Sequence, residues 1–134
     1  MTFVFSVRVY VEDTDLGGIV YYVNYLKFME RARTELLRAQ GIEQQGLKKQ
    51  GLIFVVHSAN CRYLKPARLD DELQVKTVIK RLSPVSIVFE QTVERLLDQE
   101  VICRAEIKVA SVSADSVKPM RLPSQVTEKL CTFV

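Results

Sequence analysis

Hydrophobic and polar residues alternate over residues 3 to 11, with Val7, Val9 and Val11 on one face and Arg8 and Tyr10 on the other. That period of two predicts a strand. Gly17 and Gly18 break the pattern and open a loop. From about Val23 to Gln40 the period changes. Tyr22, Leu26, Met29, Ala32 and Leu36 recur at spacings of three and four, while Lys27, Arg31, Arg33, Glu35 and Arg38 lie mostly off that stripe. The spacing predicts an amphipathic helix. Asn24 is placed to cap its start and Gly41 to end it. Residues 42 to 51 form a polar connection with room for one helical turn.

Four further segments read as strands: Leu52 to Tyr63, Glu72 to Leu82, Ser86 to Leu97 and Val101 to Ser113. The last alternates most regularly, Cys103, Ala105, Ile107 and Val109 against Arg104, Glu106 and Lys108. This is the pattern of a sheet with one buried and one wet face. Ser83-Pro84 and Asp98-Gln99 mark hairpin turns. The tail from Pro119 has little periodicity and is expected to pack loosely. One strand, one long helix and four long strands give an α+β fold. A single helix must bury the apolar face of a five-stranded antiparallel sheet, and a curled sheet wrapped around a central helix meets that need. The exposed edges of such a sheet invite pairing between copies.

A chain of 134 residues with 48% hydrophobic content reads as one domain, residues 1–134. The net charge of +3 is spread among interleaved acidic and basic residues without a Lys/Arg run. That excludes a nucleic-acid footprint and leaves room for an anionic small ligand. Cys61, Cys103 and Cys131 form neither a C-x-x-C pair nor a zinc pattern, so they read as reduced thiols of a cytoplasmic protein. Arg8, Glu12 and Asp13 argue against a signal peptide at the start. No apolar run approaches the ~20 residues of a membrane span.

The candidate chemistry is concentrated in residues 12 to 25, Glu-Asp-Thr-Asp-Leu-Gly-Gly-Ile-Val-Tyr-Tyr-Val-Asn-Tyr. Carboxylates and glycines precede a helix start, where backbone N–H groups lack intrahelical partners and the helix dipole is positive. A base or nucleophile placed there lies beside donors able to hold an oxyanion. Asp15 is the leading candidate, as nucleophile or as general base toward water. Asp13 is expected to orient the loop through Asx-type bonds. Gly17 and Gly18 permit close approach of a ligand and aim backbone N–H groups.

This stretch, written D-x-D-x-x-G-[IV]-V-x-Y-x-x-Y, resembles the opening signature of hotdog-fold acyl-CoA thioesterases of the 4-hydroxybenzoyl-CoA thioesterase type. Glu12-Asp13-Thr14-Asp15, Glu30-Arg31-Ala32-Arg33-Thr34-Glu35 and Pro66-Ala67-Arg68-Leu69-Asp70-Asp71 resemble its Tol-Pal-associated, YbgC-like branch. The resemblance implies a hotdog fold, hydrolysis of an acyl-CoA thioester, Asp15 as the catalytic carboxylate, and an oxyanion donor near Gly18 and Tyr22. It also implies a homo-oligomer, dimer or tetramer, with no metal and no organic cofactor. Relatives in that branch usually carry His where this chain has Tyr22, so any help from that side chain falls to the tyrosine hydroxyl or is absent. Ser86 aligns with a serine near the ligand in relatives, and Arg68 to Asp71 with a turn closed by charges.

Phe54-Val55-Val56, Val56 above all, could line the acyl pocket, with core packing as the other reading. Arg62, Lys65, Arg68, Lys80, Arg81, Lys118 and Arg121 are candidate cations for CoA phosphates, Arg62 and Arg81 foremost. His57, the one histidine, falls in a predicted strand away from any Ser or Cys nucleophile pattern, which argues against a catalytic triad and a zinc hydrolase. Two further readings compete. One is a binding module that docks acyl carrier protein or phospholipid-synthesis enzymes at the inner membrane, which an intact Asp15 argues against. The other is a dehydratase, which would need a His and Glu pair in a helix–loop setting.

Overall fold

Strand-forming runs separated by turn residues become one sheet. The computed structural model describes residues 1–134. The elements are β1 (Phe3–Arg8), α1 (Val23–Ala39), α2 (Gln44–Lys49), β2 (Leu52–Tyr63), β3 (Glu72–Ser83), β4 (Ser86–Arg95), β5 (Val101–Ser113) and α3 (Ser124–Cys131). The sheet is antiparallel at every pairing, in the order β1-β3-β4-β5-β2. α1 packs on one face. Its Tyr25, Phe28, Met29, Ala32 and Leu36 join Val75, Phe89, Val93, Cys103 and Ile107 in a cluster of 28 buried hydrophobic residues. This is the hotdog arrangement that the resemblance implies.

Several elements differ from the sequence pattern, each for a local reason. The first strand stops at Arg8, because a 3-10 turn over Val11–Asp13 follows and leaves Val11 73% exposed. The Asp13 carboxylate closes that turn by accepting from the Tyr10 N–H at 2.9 Å. Tyr22 is exposed rather than part of the apolar stripe, whereas Arg33 is buried. Asn24 is no cap. It lies inside the helix and donates through Nδ2 to the Asp13 carbonyl at 2.8 Å.

At the other end Gly41 does terminate α1. It takes φ +76°. Its N–H bonds to Arg38 while that of Ile42 reaches back to Leu37, each at 2.9 Å, and buried Ile42 and Leu37 complete a Schellman motif. β4 ends at Arg95, leaving Leu96 and Leu97 exposed in the turn.

The tail is the largest correction. Instead of packing loosely it forms α3, and Leu122, Val126, Leu130 and Phe133 are buried in the core. Their spacing of four, four and three is helical. Pro123 sits just before the first helical residue, where its missing N–H costs nothing.

β2 is a twelve-residue edge strand, and its ladder with β5 slips between Val56 and Ser58. The bulge at His57 switches which parity faces the helix. Val56 lies opposite Val109, and after the bulge Ala59, Cys61 and Tyr63 lie opposite Ile107, Ala105 and Cys103. His57 itself is exposed.

Candidate active site

The loop before α1 is tied down by its own backbone. Thr14 and Val20 form an antiparallel bridge. The Asp15 N–H donates to the Ile19 carbonyl at 2.9 Å, and the Gly18 N–H donates to the Asp15 carbonyl at 3.1 Å. The Gly17 N–H donates to Asp15 Oδ1 at 2.9 Å, which holds the carboxylate in an Asx-type turn. Two glycines favour this geometry. A Cβ on Gly17 would come within 3.3 Å of Asp15 Oδ1, and Gly18 takes φ +75°. Asp15 is exposed, and its Oδ2 accepts no hydrogen bond from the protein.

A second segment, residues 64 to 71, straps this loop in place. The Val20 N–H donates to the Ala67 carbonyl at 2.8 Å. The Ala67 N–H donates to the buried Tyr25 hydroxyl at 3.0 Å. Burial raises the Tyr25 pKa against the opposing pull of that N–H. Arg95 clamps the strap from β4, with Nη2 on the Pro66 carbonyl at 2.7 Å and Nε on Asp71 Oδ2 at 3.0 Å. The same Asp71 oxygen accepts from the Arg68 N–H at 2.9 Å, so this turn is indeed closed by charges. Asp70 adopts φ 71° within it. Tyr25, Asn24 and Arg95 have roles here that sequence reasoning missed. Tyr25 stood inside the motif, but only the fold reveals its partner.

Asp13 orients the approach to the helix. Its carbonyl accepts from the Tyr21 N–H at 2.9 Å and from Asn24 Nδ2 at 2.8 Å. Glu12 is exposed in the preceding turn. At the helix start the Asn24 N–H turns back to the Tyr21 carbonyl, while neither the Tyr22 nor the Val23 N–H donates within the chain. Two unpaired donors thus follow Asp15 on the same rigid loop. The Tyr22 ring stacks edge-on against Tyr21 and Tyr63, with centroids 5.1 and 5.6 Å apart. Chemically, the loop offers an accessible carboxylate oxygen as base or nucleophile next to backbone donors for an oxyanion. Thiols offer no alternative nucleophile in the core: burial raises Cys61 and pushes Cys103 up to about 12. No group of three or more His, Cys, Asp or Glu side chains is set to hold a metal.

A family model described as the thioesterase-like superfamily matches residues 9–130. An acyl-CoA thioesterase YbgC from Haemophilus influenzae is 44% identical over 125 residues, covering 92% of this chain and 90% of the relative. An acyl-CoA thioester hydrolase YbgC from Escherichia coli O6:H1 is 41% identical over 124 residues, covering 92% of each. The chain belongs to the thioesterase-like superfamily, in its YbgC branch. Among solved structures, a probable thioesterase from Bartonella henselae aligns with a TM-score of 0.83 at 36% identity, covering 92% of this chain and 100% of that one. A 1,4-dihydroxy-2-naphthoyl-CoA thioesterase from Synechocystis shares the fold with a TM-score of 0.91 at 22% identity, covering 98% and 96%.

In this YbgC-branch chain the candidate residues fall in four places. Asp15, Gly18 and Tyr22 share the loop and helix start. Val56 is 55% exposed on β2 and faces α1 across a groove. Arg62 lies opposite Arg104 on the outer face of the sheet, away from α1, beside Glu90 and Glu106. Ser86 is buried where β4 begins, and Arg81 is exposed near the end of β3. Both belong to the β3–β4 hairpin end. Val93, level with Tyr63 through Cys103, is seven residues further along β4, roughly 23 Å of extended chain. Within one chain, then, Ser86 and Arg81 do not meet Asp15. Lys80 is engaged in ion pairs with Glu106 at 3.0 Å and Glu90 at 4.0 Å.

Proposed function

We propose that this protein hydrolyses acyl-CoA thioesters to a free carboxylic acid and CoA. The observation that carries the reading is Asp15, anchored through Oδ1 and free at Oδ2, on the loop that ends in the unpaired N–H groups of Tyr22 and Val23. In one route Asp15 takes a proton from water as that water attacks the thioester carbonyl. In the other Asp15 attacks first, and water opens the resulting anhydride. Either way the carbonyl oxygen gains charge beside the helix-start donors, the C–S bond breaks, and the thiolate departs with a proton. Each oxyanion donor contributes ~3 kcal/mol to the transition state.

Val56 contributes to the acyl groove in this reading. β2 is a long exposed edge, which supports a homodimer formed by antiparallel pairing of two β2 strands. Such a pairing reverses the second sheet, so the β3–β4 hairpin with Arg81 and Ser86 comes toward the Asp15 end of its partner. Arg81 serves CoA phosphates there. Three thiols outside any disulfide suit a reducing, cytoplasmic setting.

The test is thiol release from short, long and aromatic acyl-CoAs and the matching acyl carrier protein thioesters, wild type against Asp15→Asn. The expected outcome is turnover that falls by about 10²–10⁴-fold in the variant. Equal rates would exclude Asp15, and the better carrier names the physiological one. Light scattering checks the oligomer, which must exceed a monomer.

A further inference from the structure

The middle of α1 holds a cation that the reaction above does not use. Arg33 is only 8% exposed. Its Nη1 donates to Gln91 Oε1 at 2.9 Å. Gln91 in turn donates through Nε2 to the Met29 carbonyl at 3.0 Å and to Thr77 Oγ1 at 2.9 Å, and both Gln91 and Thr77 are fully buried. A guanidinium carries five N–H donors in a planar fork, and this one uses one of them inside the protein. Arg33 enters none of the ion pairs of the molecule. Exposed Glu30, one turn earlier, is not within ion-pair distance. Burial lowers the Arg33 pKa while Glu30 supports it from further off. No Arg33 nitrogen is sealed from solvent without a partner, so the donors that Gln91 does not use open onto the space beside α1, where an anion can take them.

The space in front of Arg33 is shaped for a chain. A cavity of about 360 Å³ runs from Val23 and Leu26 at the start of α1 to Arg33, walled by Val56, Ala59 and Ile107. A smaller one of about 90 Å³ shares Arg33, Glu30 and Val56 and continues past Leu37, Phe54 and Phe89. The groove therefore begins next to the free Tyr22 and Val23 N–H groups and reaches a guanidinium. Tyr22 and Arg33 are separated by eleven positions, about 16 Å of helix.

We propose that the groove takes acyl groups with a second carboxylate, the half-thioesters of dicarboxylic acids, whose distal carboxylate seats on Arg33. The inference rests on the thioesterase reading and names its substrate class. The thioester carbonyl lies at the helix start, the methylene chain runs against Val56, Ala59 and Ile107, and the far carboxylate receives the guanidinium N–H groups that Gln91 leaves free. The helix length between the two points corresponds to a chain on the order of ten carbons. Hydrolysis is otherwise unchanged: water supplies the new hydroxyl, the C–S bond breaks, and a dicarboxylate and CoA leave. A guanidinium that merely staples α1 to β4 through Gln91 would show no such selectivity.

The experiment measures binding by titration calorimetry in the Asp15→Asn background, so that it does not depend on turnover. It compares ω-carboxyacyl-CoAs with plain acyl-CoAs of equal length, from about eight to fourteen carbons. The expected result at the best length is binding of the carboxylated chain about ten- to a hundredfold tighter. Adding Arg33→Met abolishes or inverts that preference, and Arg33→Lys keeps part of it. Equal binding of the two series, or a preference that survives Arg33→Met, overturns the proposal even where both series are hydrolysed. If Arg33→Met does not fold, the lysine variant and the wild-type pair decide. Turnover of the same pairs by the Asp15 protein is scored separately. Arg33-dependent binding without hydrolysis would sink the thioesterase reading and leave the groove assignment standing.

Discussion

The start and the middle of α1 treat polar groups in opposite ways. At the start, Asp15 and Tyr22 are exposed on a loop held by backbone bonds at Asp15, Gly18, Val20 and Tyr21. In the middle, Arg33, Gln91 and Thr77 are buried and bonded to one another through side chains. A side chain in water can be changed without destabilising the fold, but its chemistry goes with it. A buried network cannot lose a member without leaving unsatisfied groups behind. The two regions should therefore separate activity from stability.

Four substitutions sharpen that contrast. Asp15→Asn should give the largest effect, the loss of about 10²–10⁴ in kcat already stated, with an unchanged thermal midpoint. A lowered midpoint would show that the carboxylate holds the loop rather than serving chemistry. Gln91→Leu should show the reverse. It removes the partner of Arg33 Nη1 and of Thr77 Oγ1 and a second bond to the Met29 carbonyl, and denaturant titration should register a loss of about 2–4 kcal/mol. Retention of full stability would mean that water replaces the glutamine.

Tyr25→Phe falls between the regions. It leaves the Ala67 N–H without its partner, at about 1–3 kcal/mol. Because Ala67 also holds Val20, kcat should fall several-fold, and a stability loss with kcat intact would disconnect the strap from the site. Gly18→Ala should cost stability by about 1–2 kcal/mol, less than Gln91→Leu, since its φ of +75° lies in the left-handed region. The accompanying loss of activity would come from displacement of the Asp15 turn. An unchanged rate would place Gly18 outside the oxyanion machinery.

Local pattern carried most of the fold. β2 and β5 have the bounds that alternation predicts, and α1 starts at Val23 and gives way at Gly41. The loop geometry was legible for the same reason, because Asp15, Gly17 and Gly18 contact each other within a few residues. Arg33 was not legible as a buried group. Its charge places it off the apolar stripe, and only Gln91, 58 positions away, gives it a partner. The tail failed for a related cause: Pro119 and Pro123 obscure a helical spacing that matters only because core surface is available to cover. The faces of the scattered cations were not legible, because a strand pattern gives a face only after register is known, and the bulge at His57 resets that register in β2.

The sequence by itself determined what depends on neighbours a few residues apart: the strands, the long helix, and a carboxylate–glycine loop at its start. Tertiary structure alone decided that Tyr25 straps this loop through Ala67, that α3 closes the core, that Ser86 and Arg81 lie at the far end of the sheet, and that Arg33, bonded to Gln91, lines a groove. Each of these rests on contacts between residues distant in the chain, whose closure entropy is recovered only when the whole sheet packs against α1.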